Sequence, residues 1–201
     1  MPPRFVLYGG TALALRLGHR QSIDFDFFGR ETFEPGHLLD QLPFLRDATI
    51  VQQAPSTLGV VVDRDGPVRL SFFGVPGIVR LRSPDVAEDI GLNVASLLDL
   101  AGTKASVVQQ RAEAKDYLDI HAILADGRID LPTALAAARA IYGAQFNPLP
   151  TLKALAYFAD GDLRTLPAAT KRHLARVAGG VDPERLPVVT PLEGTNEDGA
   201  A

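Results

Sequence analysis

Between Ser22 and Phe28 hydrophobic and polar positions alternate with a period of two, putting Ile23, Phe25 and Phe27 on one face and Asp24 and Asp26 on the other. The pattern predicts a strand carrying two carboxylates side by side. Upstream, the apolar run Phe5 to Tyr8 predicts a short buried strand. Gly9-Gly10-Thr11 then reads as a turn and Ala12 to Gly18 as a helix, with Thr11 near its start and Gly18 closing it. Downstream, EPGHLLDQL predicts a surface helix, and ATIVQQ, TLGVVVD and PVRLSFFG predict three β segments. RDGP joins the last two as a hairpin.

From Ser83 onward the character changes. The stretch from Ser83 to Gln110 leads into a helix, and Arg111 to Gly127 reads as another. LPTALAAARAIYG, PLPTLKALAYFADG and PAATKRHLARVAGG predict three more, each set off by Pro or Gly. The order of elements predicts an α+β fold, with an α/β core over residues 1–82 and a helical region packing on it over 83–187. The polar, small-residue tail 188–201 is expected to be disordered.

Composition narrows the setting. The 201 residues are 46% hydrophobic and 22% charged, the profile of a globular domain. With no cysteine, thiol chemistry and Cys-ligated zinc are excluded, and a cytoplasmic location is expected. The longest apolar runs fall short of the ~20 residues that span a bilayer, and the N-terminus lacks the features of a secretion signal. A formal charge of −4 gives no global basic field, so any contact with nucleic acid must be local.

Two carboxylates two residues apart on a strand lie about 6 to 7 Å apart at Cα, close enough to share hard cations. Mg²⁺ suits such a pair, because waters and substrate phosphates complete its octahedron. Glycines ahead of a helix start let the backbone approach a ligand closely, and the first N–H groups of the helix bind phosphate. Alone, Asp-Phe-Asp reads most simply as a solvated strand face and Gly-Gly-Thr as a turn. Their succession within residues 8–28 describes a nucleoside-triphosphate site.

Tyr8-Gly9-Gly10-Thr11-Ala12-Leu13 followed by Ser22-Ile23-Asp24-Phe25-Asp26-Phe27-Phe28 resembles the signature of the polymerase β-type nucleotidyltransferases. More narrowly, it is similar to the AbiEii-type toxins of abortive-infection and type IV toxin–antitoxin systems. The resemblance implies a nucleotidyltransferase-type mixed sheet followed by a helical region. It also implies Gly9, Gly10 and Thr11 as triphosphate contacts and Asp24 and Asp26 as ligands of Mg²⁺, with Mn²⁺ an alternative. The same families carry a downstream lysine and a KDxxD-like element, which Lys104, Lys115, Asp116 and Asp119 resemble, with Arg111 between them.

Were one helix to run through that stretch, about 100° per residue would put Lys104, Arg111 and Lys115 within roughly 40° of one another, a basic stripe for phosphate. A break between Gln109 and Glu113 would alter this. The bland reading is a solvent face paired by Lys115 and Asp119 at i,i+4, which leaves the like charges Arg111 and Lys115 unexplained. Asp116 and Asp119 would orient the lysine, act as a base, or pair with it.

Two departures from the family pattern stand out. The chain begins almost at the first strand, where members usually carry a helical segment before it, so the start is late or that helix is absent. A third carboxylate is expected on a later strand, where Val68 to Phe73 offers Ser71, which puts the general base in question. Asp63 and Asp65 sit in a turn, where acidic residues are common for turn chemistry alone. The histidines show no metal-ligand spacing, and His19 with Arg20 reads as surface ahead of a phosphate or base contact.

The resemblance implies transfer of a nucleoside monophosphate from an NTP to an acceptor hydroxyl, with tRNA or another RNA as acceptor and an antitoxin protein as partner. The alternatives are a catalytically reduced nucleotide-binding or protein-interaction module of the same fold, and a small-molecule nucleotidyltransferase.

Overall fold

The computed structural model describes residues 2, 4–87 and 91–192. Much of the expected tail, residues 193–201, lies outside the described residues. The chain divides into two compact units, one built from residues up to Ile78 with Ser83–Ala95, the other from Val79–Arg82 with Ser96–Leu192.

The first unit holds a seven-stranded mixed sheet in the order β3-β4-β5-β2-β1-β7-β6. Its strands are β1 (Val6–Tyr8), β2 (Asp24–Gly29), β3 (Thr49–Ala54), β4 (Thr57–Asp63), β5 (Pro67–Gly74), β6 (Asp85–Ala87) and β7 (Leu92–Val94). Helix α1 (Gly9–Leu17) joins β1 to β2, and α2 (Pro35–Gln41) follows β2. β1 runs antiparallel to β2 and parallel to β7, while β2 runs parallel to β5.

One face of the sheet forms the core. Leu7, Phe27, Leu58, Val60 and Phe72 are buried, and the rings of Phe27 and Phe72 stack 5.2 Å apart. Phe5 closes edge-on against both Phe72 and Phe33. The period-two pattern of β2 follows from this, because Phe27 must enter the core and its neighbours then face away.

Two features differ from the sequence expectation. Residues 83–95, expected with the helical region, contribute β6 and β7 and group with the sheet. Each of these strands has only three residues, too few for a period-two signal. The Gly-Gly-Thr segment is the first turn of α1 itself rather than a separate turn before it.

The second unit is helical: α3 (Leu97–Val107), α4 (Ala114–Asp126), α5 (Leu131–Tyr142), α6 (Pro148–Ala154) and α7 (Ala168–Gly179). Tyr117, Ile120, Leu135, Leu155 and Leu174 lie in its core. α3 and α5 approach closely because Gly102 faces the alanine-rich side of α5. A Cβ built at Gly102 would lie 2.9 Å from backbone atoms of Ala137 and Ala138. Ser96 caps α3 by accepting from the Asp99 N–H at 3.0 Å. The Asp99 carboxylate, fully buried, accepts from the N–H groups of Leu81 and Arg82, which holds segment 79–82 within this unit.

Candidate nucleotidyltransferase site

In the first unit the chain passes from β1 directly into α1 at Gly9, with φ 72°. A side chain at that φ is strained, and a Cβ there would also lie 2.7 Å from Asp26 Oδ2. Glycine is therefore required both by the backbone and by the carboxylate resting on it. Tyr8, the residue preceding the helix, supplies no side-chain cap, and no acidic residue stands in the first turn. The first N–H groups of α1 have no partners within the helix, which is the arrangement that binds anions.

Asp24 and Asp26 share the sheet face opposite the core. Asp24 is exposed and Asp26 half-buried. Register places Asp26 between Tyr8 on β1 and Ser71 on β5, and Asp24 beside Arg69. Beyond them the face is aromatic, with Phe28 against both Tyr8 and Phe73. Ser71 thus stands next to Asp26, at the place on β5 from which a third carboxylate would reach the pair.

Thr11 is used differently from the expectation. Its hydroxyl is buried, donates to the Asp24 carbonyl at 2.5 Å and bonds with Ser22 Oγ at 2.9 Å. The side chain ties α1 to the start of β2. At the other end of α1, Arg16 bonds to the Ala95 carbonyl at 2.8 Å and to Asp85 at 2.5 Å.

In the second unit the expected basic stripe does not form. α3 ends at Val107 and α4 begins at Ala114, so no single helix carries Lys104, Arg111 and Lys115. Lys104 is buried, with Nζ 2.6 Å from Asp116 and 2.7 Å from Asp119, both fully buried. Arg111 grips Asp116 with Nε at 2.7 Å and Nη2 at 3.2 Å. Lys115 points elsewhere, to Glu113 at 3.0 Å, so the i,i+4 pairing of Lys115 with Asp119 is replaced by Lys104 with Asp119. Sequence spacing missed this because the turn at 108–113 lets α4 fold back on α3.

The two cations and two carboxylates of this cluster balance. Burial raises the Asp116 pKa, but Arg111 and Lys104 outweigh it and hold the carboxyl below its usual range. Burial and the carboxylates of Asp116 and Asp160 push the neighbouring Tyr117 hydroxyl up to about 12, so it stays a proton donor. Asp162, with no local sequence signal, caps α4 from a distance by accepting from the Ala114 N–H at 2.6 Å.

A mixed sheet with paired aspartates facing a glycine-initiated helix, accompanied by a helical unit, defines the nucleotidyltransferase class of fold. The solved structure of MenT4, a nucleotidyltransferase toxin from Mycobacterium tuberculosis H37Rv, shares it, with a TM-score of 0.58 at 15% identity over 90% of this chain and 77% of that one. The sequence profile described as nucleotidyl transferase AbiEii toxin, type IV TA system, matches residues 2–189. The chain belongs to this AbiEii nucleotidyltransferase toxin family. A protein of Aquifex aeolicus (strain VF5) with no assigned function is 35% identical over 118 residues, and the matched part spans 58% of this chain and 55% of that relative. Among the described residues no helix is long and apolar enough to cross a membrane.

Proposed function

We propose that the chain is a Mg²⁺-dependent nucleotidyltransferase that moves a nucleoside monophosphate from an NTP to an acceptor hydroxyl, with tRNA or another RNA as the acceptor. The observation that carries this reading is the Asp24/Asp26 pair on one strand face, with Asp26 resting on Gly9 at the start of α1. The acceptor oxygen bonds to the α-phosphorus as the bond to the bridging oxygen breaks. The electron pair leaves with pyrophosphate, and the hydroxyl proton passes to a carboxylate or water.

The donor set fits the metal. Asp24 and Asp26 offer only hard oxygen ligands, and among the described residues no group of three or more His, Cys, Asp or Glu gathers as a self-sufficient site. Two carboxylates completed by waters and phosphates are what Mg²⁺ and Mn²⁺ accept. Bound there, the metal would neutralise charge developing on the phosphates. Gly9, Gly10 and Thr11 would hold the triphosphate through their backbone N–H groups. Arg111 and Lys115, both more exposed than Lys104, are the candidates of the second unit for anion contact; Lys104, Asp116 and Asp119 would keep Arg111 in place.

Family membership supports a toxin whose partner is an antitoxin protein. The second reading is a reduced nucleotide-binding module, favoured by Ser71 standing where a third carboxylate is expected. Incubating the purified protein with Mg²⁺, each α-³²P-labelled NTP and total RNA separates the two. Label on RNA that disappears in Asp24→Asn/Asp26→Asn is the expected result. NTP binding without transfer favours the reduced module, and neither binding nor transfer refutes both.

A further inference from the structure

Helix α7 carries charge of one sign only. Between Leu163 and Val181 the chain has no acidic residue, while Arg164, Lys171, Arg172 and Arg176 are cations, in a protein whose net charge is −4. Thr170, Leu174 and Ala178 turn to the core, and Arg172 and Arg176 are exposed on the opposite side with Ala168, Ala169 and Gly179. Arg164, exposed on the single turn Leu163–Thr165, is held beside the helix because the Lys171 ammonium donates to its carbonyl at 2.9 Å.

Other exposed cations of the chain meet an acid: Arg128 pairs with Asp126, Arg185 with Asp182 and Lys115 with Glu113. The cations of α7 have none within reach along the helix. The positions three and four residues from Arg172 and Arg176 hold Ala168, Ala169, His173, Ala175, Gly179, Gly180 and the two arginines themselves. Like charges at i,i+4 destabilise a helix, and Lys171, in a first turn with no acidic residue, opposes the helix dipole. Only Arg176, in the last turn, is favoured by that dipole. A face that served solubility alone would gain from mixed signs. An external polyanion is what offsets these costs.

We propose that the outer face of α7, together with Arg164, holds the phosphate backbone of a double-helical segment of the RNA acceptor. The inference rests on the RNA-acceptor reading above and adds the surface and the form of RNA it takes. Arg172 and Arg176 stand about 5–6 Å apart at Cβ, and each guanidinium fork takes phosphate oxygens in pairs. The face offers no aromatic ring on which an unpaired base could stack, which disfavours a single strand. Its other exposed residues are alanine and glycine, small enough for the helix to lie close to a backbone. Double-helical RNA is recognised through its shape and backbone rather than its base edges.

The test is filter binding of the full chain to a double-stranded RNA of about 16 base pairs and to single-stranded poly(U) of equal length, across a salt series. The wild type should prefer the duplex. Arg172→Gln/Arg176→Gln should weaken duplex binding about fivefold or more and make the slope of log K against log salt shallower by about 2, with Mg²⁺-supported NTP affinity and thermal midpoint unchanged. Arg172→Lys/Arg176→Lys, which keeps the charge, should retain most of the affinity. Arg128→Gln, which removes an exposed cation already paired with Asp126, should change it less than about twofold. Duplex binding that is absent, that survives the double Gln variant or that falls as much in Arg128→Gln overturns the proposal. So does tighter binding to poly(U), or to poly-glutamate, which would make the face a site for single strands or acidic protein. A wild type that binds duplex through these arginines but transfers no nucleotide refutes the transferase reading alone, whereas RNA labelling that the double Gln variant leaves intact refutes only the assignment of α7.

Discussion

Lys104 shows how far a residue's surroundings decide its role. Its place in the sequence suggests a cation presented to phosphate, yet its ammonium sits between two fully buried carboxylates. Removing one partner of a buried ion pair leaves an uncompensated charge and costs about 3–5 kcal/mol. Lys104→Met should therefore lower the thermal midpoint strongly with no nucleotide present, as read by circular dichroism. A variant that melts like the wild type but loses NTP affinity would return Lys104 to the phosphate role. Asp24 and Asp26 are the opposite case. Their type, spacing and strand context were all legible, because period two along a strand is a local rule and both carboxylates follow it.

Among the elements, α4 depends on contacts distant in sequence at both its start and its outer face. Glu113 precedes it without capping it, and Asp162 does so instead. Asp162→Ala should cost about 1 kcal/mol of stability, measured by urea unfolding. The adjoining Gly161, at φ 52°, has room for no Cβ, since one would lie 2.0 Å from the Ala112 carbonyl oxygen. On α4, His121 Nδ1 lies 2.8 Å from Nδ1 of His173 on α7. Burial, then the second imidazole, lowers the His121 pKa from the usual 6.5. As pH falls past about 6.5 the unfolded chain takes up its proton before the folded one, so stability present above that pH is lost below it. The melting temperature should drop between pH 7.5 and 5, and His173→Gln should flatten the drop; equal slopes would sink the explanation. The same element shows why the expected stripe fails: helical periodicity was legible on either side of residues 108–113, but not the fold-back between them.

At the scale of the whole molecule, a net charge of −4 means that the RNA acceptor proposed above would have to be held by a few local cations. Filter binding across a salt series should give a slope of log K against log salt of only about −2 to −4; a steeper slope would reveal an extended basic surface. The α+β class, the strand–helix–strand front and the helical back were determined by the sequence itself, since apolar periodicity and Gly or Pro punctuation act over a few residues. So was the identity of the paired carboxylates. The addition of β6 and β7 to the sheet, the place of Ser71 beside Asp26 and the burial of Lys104 between two aspartates were decided only by tertiary structure. Each depends on which distant segments pair in register or pack together, and that is set by the energy of the assembled sheet and helical core rather than by any local pattern.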